Sequence, residues 1–155
     1  MTDIVDQRTR SRMMSGIRGK NTKPEVLIRS LLHSRGYRFR KHYDRLPGKP
    51  DIALPKYRAL ILVNGCFWHG HDCHLFKWPA TNHDFWKQKF SVNIARDRKL
   101  FEIYRQAGWR VLTIWECSLK GKRRLSETTI VDQMTAWLNS AASEGDIQGN
   151  GPTNF

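Results

Sequence analysis

The run Cys66-Phe67-Trp68-His69-Gly70-His71-Asp72-Cys73-His74 packs two thiols and three imidazoles into nine residues, and a third thiol, Cys117, stands far along the chain. Thiolate and neutral imidazole are the donors that tetrahedral Zn²⁺ favours, and a closed structural site needs four of them. An odd number of cysteines makes a disulfide framework improbable, leaving metal binding or plain burial. If the apolar segment ending at Trp115 pairs beside the one ending at Val63, Cys117 comes next to Cys66. Cys66, His71, Cys73 and Cys117 would then complete a Cys₃His site. The alternative is three buried free cysteines with histidines on the surface, and the spacing matches no standard zinc finger.

A second chemical signal is Pro50-Asp51, which follows a Pro/Gly-rich loop and opens a short apolar segment. A carboxylate at such a strand mouth begins the P-D…(D/E)-x-K nuclease pattern, in which carboxylates hold Mg²⁺ against a scissile phosphate. Most Pro-Asp pairs are turns, and the second half of the pattern is missing. Where the second carboxylate and the lysine would stand, the chain has Leu62, Val63 and Asn64. A main-chain carbonyl, for instance that of Val63, would have to replace the carboxylate as a metal ligand.

The elements that must position these residues can be read from periodicity and punctuation. Thr22 to Glu25 forms a capping box before Val26, Ile28, Leu31 and Leu32, and Gly36 stops that helix. Tyr37 to His42 alternates like a strand. Asp51 to Leu54 and Ala59 to Val63 read as two short strands joined by a turn at Pro55 to Arg58. Thr81 to Asp84 is expected to cap a long helix through Trp86, Phe90, Ile94, Phe101 and Tyr104, closed by Gly108. Trp109 to Trp115 reads as a buried strand. Ser126 caps a last helix, with Leu125 and Ile130 as its staple. The expected fold is α/β, a mixed sheet flanked by helices. Residues 21–140 form the main domain, preceded by a basic segment at 1–20, with a possible helix from Asp6 to Arg18, and followed by a disordered tail at 141–155.

Composition points to the partner. The 155 residues carry 27 Lys and Arg against 14 Asp and Glu, a net charge of +13. The stretch from Met1 to Pro50 holds 13 basic and 4 acidic side chains, so +9 lies in the first third. Such an excess attracts a polyanion, with a merely solvated basic surface or an anionic membrane surface as the rivals. Six Trp residues favour nucleic acid, because rings among cations let bases stack while phosphates are neutralised. No apolar run reaches the roughly 18 residues of a membrane helix and no signal segment follows Met1, so a cytoplasmic protein is expected.

Together, Leu46-Pro47-Gly48-Lys49-Pro50-Asp51, Gly65-Cys66-Phe67-Trp68-His69, His71 with Cys73, Phe76-Lys77 with Pro79-Ala80-Thr81, Phe85-Trp86, Asn93 with Arg96-Asp97, Gly108-Trp109-Arg110-Val111 and Trp115-Glu116-Cys117 resemble the very-short-patch-repair endonucleases. The resemblance runs from about Thr9 to Trp137. It implies a restriction-endonuclease-like fold with a structural Zn²⁺, acting as a monomer on double-stranded DNA. The reaction implied is a nick on the 5′ side of the thymine of a T·G mismatch left by 5-methylcytosine deamination.

By the same resemblance, Asp51 and the Val63 carbonyl would hold Mg²⁺, Glu25 would hold metal-bound water, and His69 would act as general base or polarise the attacking water. Glu25 also has a structural reading, as the N3 member of its capping box. Asn64 departs from the histidine that the family carries; it can donate a hydrogen bond to phosphate but cannot relay a proton. Phe67, Trp68 and Trp86 would form a wedge entering the duplex beside the mismatch. Unstacking costs a few kcal/mol, least where pairing is already poor. Met14, with the basic segment around it, would lie in the opposite groove, and Lys89 and Asn93 would contact DNA near the mismatch. Downstream repair proteins and a location at the nucleoid belong to the same set of expectations.

Overall fold

A computed structural model describes residues 22–73 and 75–150. Residues 1–21, with the expected helix and Met14, lie outside the described residues, as do His74 and residues 151–155.

The elements, in order, are α1 (Lys23–Ser34), β1 (Arg40–Lys41), β2 (Ile52–Leu54), β3 (Ala59–Asn64), α2 (His83–Gln106), β4 (Arg110–Trp115), α3 (Glu127–Leu138) and β5 (Glu144–Ile147). The five strands lie side by side in chain order. β1 with β2 and β2 with β3 are antiparallel, while β3 with β4 and β4 with β5 are parallel. The sheet is therefore mixed, and α2 and α3 are the crossovers that parallel neighbours require.

Both faces of the central strands β2, β3 and β4 are covered, which is why these are apolar almost throughout rather than alternating. Ile52, Leu54, Ile61, Leu112 and Ile114 point to one face, where they meet Ile28 and Leu32 of α1 and Ile130, Met134 and Leu138 of α3. Ala53, Leu60 and Val111 point to the other and pack with Tyr104 and Trp109. Each such fully buried aliphatic side chain contributes about 1.5–3 kcal/mol. Among the described residues no helix is long and apolar enough to cross a membrane.

The expected caps hold at two helices. Thr22 Oγ1 accepts from the Glu25 amide at 3.4 Å, and Ser126 Oγ from the Thr129 amide at 3.1 Å. The long helix differs: Asn82, in a left-handed conformation with φ 56°, occupies its N-cap without a side-chain bond, so Thr81 does not cap it. The strand expected over Tyr37 to His42 shortens to Arg40–Lys41.

The expectation of an unstructured tail from 141 is corrected. Residues 144–147 form the edge strand β5, in parallel register with β4 from Val111↔Glu144 to Ile114↔Ile147. Only Ile147 is buried there, so the strand rests on backbone pairing and one aliphatic anchor rather than on an apolar run. Gly145 lets it pass under α3, since a Cβ there would stand 2.6 Å from Trp137 Nε1. Arg110 braces the same corner by donating to the carbonyls of Tyr57, Leu138, Ser140 and Ala142.

Candidate active site and metal centre

Asp51 stands where the loop from Leu46 enters β2, and that loop is pinned from two sides. The amides of His42 and Tyr43 donate to the carbonyls of Asp51 and Pro50 at 2.9 and 3.0 Å. From α2, the Tyr104 hydroxyl donates to the Pro47 carbonyl at 2.6 Å. Gly48, with φ 78°, permits this approach, because a Cβ there would lie 2.8 Å from both Leu100 and the Tyr104 oxygen. β2 pairs with β3 so that the Val63 amide donates to Asp51 Oδ2 at 2.8 Å. The Asp51 carboxylate and the Val63 main chain thus come together through the amide.

Removal from water pushes the Asp51 carboxyl up to about 7; the Val63 amide opposes the rise, the Glu25 charge adds to it, and His69 and Arg29 oppose it. A desolvated carboxylate beside a second acid suits a hard divalent cation, with oxygen donors from Asp51 and the Val63 main chain. These residues open onto a cleft of about 760 Å³ whose lining also includes Glu25, His42, Asn64 and His69.

His69 reaches the cleft from the turn after β3, where its amide donates to the Gly65 carbonyl. Its Nδ1 lies 2.6 Å from Asp97 Oδ2 on α2. An imidazole held at Nδ1 by a carboxylate presents its other nitrogen with a fixed orientation, the arrangement a general base needs. The sequence reading assigned no role to Asp97. It lies four residues after Asn93, on the same helical face, and the motif containing both was the available signal. Asn93 Nδ2 donates to the Trp68 carbonyl at 2.8 Å, so this residue braces the loop as well as lining the cleft.

Glu25, in the first turn of α1, directs Oε2 to His42 Nε2 at 3.1 Å and to Arg29 Nη1 at 3.8 Å. The cap at Thr22 and a place in the cleft are therefore compatible. His42 is a second cleft residue that sequence reasoning missed.

The metal-binding reading of the cysteines fits the geometry. Donor atoms of Cys66, His71, Cys73 and Cys117 all lie within 4.8 Å of one another. The parallel pairing Asn64↔Trp115 brings the ends of β3 and β4, and hence Cys66 and Cys117, together. Burial, with neighbouring thiols adding to it, raises the Cys66 and Cys117 thiols, and burial lowers His71. Three thiols and an imidazole crowded together out of water suit a soft-ligand cation that stabilises the thiolates, and Zn²⁺ is the usual one.

Outer bonds converge on the same cluster. The Cys117 amide donates to Cys66 Sγ, and the Gly149 amide to Cys117 Sγ, each at 3.3 Å. His71 Nε2 lies 3.1 Å from Gln148 Oε1, which leaves Nδ1 toward the sulfurs, and the ring stacks on Trp115 at 4.0 Å. Zinc-binding histidines typically have their second nitrogen held in this way.

Beside the cleft, Phe67, Trp68 and Trp86 form a half-buried aromatic group. Phe67 meets Trp68 at 5.2 Å and Trp86 at 5.3 Å between centroids, and buried Phe90 supports them from below. Lys89 lies one turn before Asn93 on α2.

Known proteins resemble this chain over most of its length. Residues 2–75 match the family model for the DNA mismatch endonuclease Vsr. The chain is 40% identical over 151 residues to the DNA mismatch endonuclease Vsr of Escherichia coli (strain K12), covering 96% of this chain and 97% of that one. It is also 46% identical over 119 residues to the Type II nicking enzyme V.XorIIP of Xanthomonas oryzae pv. oryzae (77% and 88% covered), and 45% identical over 122 residues to V.NmeAIP of Neisseria meningitidis serogroup A (79% and 87%). A mixed five-stranded sheet, a Cys₃His cluster and near full-length identity at this level place the chain in the Vsr family of DNA mismatch endonucleases.

Proposed function

We propose that this protein nicks double-stranded DNA on the 5′ side of the thymine in a T·G mismatch, by Mg²⁺-assisted phosphodiester hydrolysis. The observation that carries the reading is a single cleft holding Asp51 and an Asp97-oriented His69 beside a partly exposed aromatic group. The names of the nicking enzymes among its relatives support cutting of one strand.

Asp51 and the Val63 carbonyl hold Mg²⁺, which when bound neutralises charge developing at the scissile phosphate. His69, fixed by Asp97, takes the proton of the attacking water. Glu25 orients water on the Asp51 side of the cleft. Asn64 donates a hydrogen bond to phosphate and relays no proton. Phe67, Trp68 and Trp86 insert beside the mismatch, where unstacking costs least. Lys89 and Asn93 contact the DNA near it, while residues 1–20, Met14 included, clamp the opposite groove. Zn²⁺ on Cys66, His71, Cys73 and Cys117 fixes the loop that carries Phe67, Trp68 and His69. The enzyme acts as a monomer at the nucleoid in the cytoplasm and hands a nick to downstream repair proteins.

End-labelled duplexes with T·G or T·A at one position, with and without Mg²⁺, test this. A single Mg²⁺-dependent cut 5′ of the mismatched thymine supports the reading. Cleavage of both strands of the matched duplex overturns it.

A further inference from the structure

Two acidic residues of the cleft, Asp51 and Glu25, come from separate elements, and one residue bonds to both. The His42 amide donates to the Asp51 carbonyl at 2.9 Å, and His42 Nε2 lies 3.1 Å from Glu25 Oε2. Its side chain is 13% exposed and that of Glu25 is 7% exposed. His42 holds a left-handed backbone, φ 48°, which non-glycine residues adopt uncommonly and at some cost. That conformation lies directly after β1, where the chain leaves its pairing with β2.

Charge balance alone does not call for the imidazole. Arg29, one turn along α1, already faces the same Glu25 oxygen at 3.8 Å. A guanidinium at that distance supplies attraction with little direction, whereas a ring nitrogen at 3.1 Å fixes where the carboxylate points. Because His42's main chain is bonded to the residue that follows Pro50, the direction is set relative to Asp51.

We propose that His42 is a positioning residue for the reaction: through its Nε2–H it orients the Glu25 carboxylate toward the Asp51 side of the cleft. The inference rests on the reading of Asp51 and Glu25 as the metal and water side of the site. His42 acts through Glu25, to which its ring nitrogen is bonded. A neutral hydrogen-bond donor of similar reach would serve in its place.

The test uses the full-length chain and measures nicking of a T·G duplex across a Mg²⁺ series, with duplex affinity in the absence of Mg²⁺ and a thermal melt beside it. His42→Ala is expected to raise the half-saturating Mg²⁺ concentration about 10-fold, as loss of an outer-sphere partner does. Duplex affinity without Mg²⁺ stays unchanged. His42→Gln, whose amide donates the same bond, recovers most of the loss, and adding His42→Ala to Glu25→Ala makes the latter no worse. If Glu25→Ala shifts the Mg²⁺ requirement and His42→Ala does not, the inference about His42 fails alone. If Glu25→Ala also leaves it unchanged, the reading of Glu25 fails and takes this one with it. A His42→Gln protein as impaired as His42→Ala overturns positioning by a hydrogen bond, because the imidazole itself is then required.

Discussion

His69 Nδ1 and Asp97 Oδ2 lie 2.6 Å apart, joining the loop after β3 to the middle of α2. The carboxylate sets the tautomer and orientation of the imidazole, so its removal acts on the chemical step rather than on DNA capture. Asp97→Asn is expected to lower the single-turnover nicking rate about 100-fold, within the range that general-base catalysis supplies. Affinity for the T·G duplex is expected to be unchanged. An equal fall in affinity and rate would show that the pair only supports the loop.

The raised carboxyl of Asp51 has a consequence for stability. Unfolded, it ionises near 3.8; folded without metal, near 7. Well below pH 4 it is protonated in both states; between about pH 4 and 7 the unfolded carboxyl ionises while the folded one keeps its proton, and over that interval the folded state loses roughly 4 kcal/mol relative to the unfolded one. Asp51→Asn, which keeps an acceptor for the Val63 amide, should therefore raise the melting temperature of the Mg²⁺-free protein by several degrees at pH 8. At pH 4 it should have little effect, and nicking should be lost at any Mg²⁺ concentration. Equal melting temperatures at pH 8 would show that the carboxylate is well solvated.

Zinc content and exchange check the Cys₃His cluster. One Zn²⁺ per chain is expected, and Cys117→Ser is expected to fail to fold, since a closed zinc site contributes on the order of 10 kcal/mol to a small fold. Gln148→Ala removes only the bond to His71 Nε2. It should fold, yet release Zn²⁺ to a chelator about 10-fold faster. Gly149→Ala should be worse, because its Cβ would stand 2.6 Å from the Cys117 carbonyl oxygen. Unchanged release from Gln148→Ala would show that the Gln148–His71 bond has no part in holding the metal.

What the sequence shows and hides follows from where each signal resides. The Thr22 and Ser126 caps, the apolar strands Ala59–Asn64 and Arg110–Trp115 and the Cys/His-rich run from Cys66 to Cys73 are legible because local spacing carries them. Pairing of those two strands alone then places Cys117 by Cys66. β5 is hidden, since Glu144, Gly145 and Asp146 have the composition of a solvated tail and only Ile147 anchors them. Asp97 and His42 are hidden for another reason. Asp97 meets its partner 28 residues away and His42 meets Glu25 17 residues away, through a crossover helix and a loop. No local pattern encodes such meetings.

Phe67, Trp68 and Trp86 are half-buried, between core and free surface, and this makes Trp68 informative. As part of a wedge, Trp68→Ala should lower affinity for T·G duplex by about 1–3 kcal/mol more than for matched duplex, with the salt slope unchanged, because stacking neutralises no phosphate. As a core residue, it would cost about 3–5 kcal/mol of folding stability and weaken both duplexes alike. Binding to both duplexes at two salt concentrations, beside a melt, separates the two.

The central claim is that Asp51 and His69 serve one reaction, a Mg²⁺-dependent cut of one strand beside a mismatched thymine. Its most direct measurement is single-turnover cleavage of a duplex labelled on either strand, with T·G or T·A at the same position, by the unmodified protein, Asp51→Ala and His69→Ala. The account predicts one nick 5′ of the thymine in the T·G duplex, none in the T·A duplex, and loss of that nick in both variants while T·G binding persists. Near-normal nicking by Asp51→Ala, or equal cutting of matched and mismatched duplex by the unmodified protein, would contradict it.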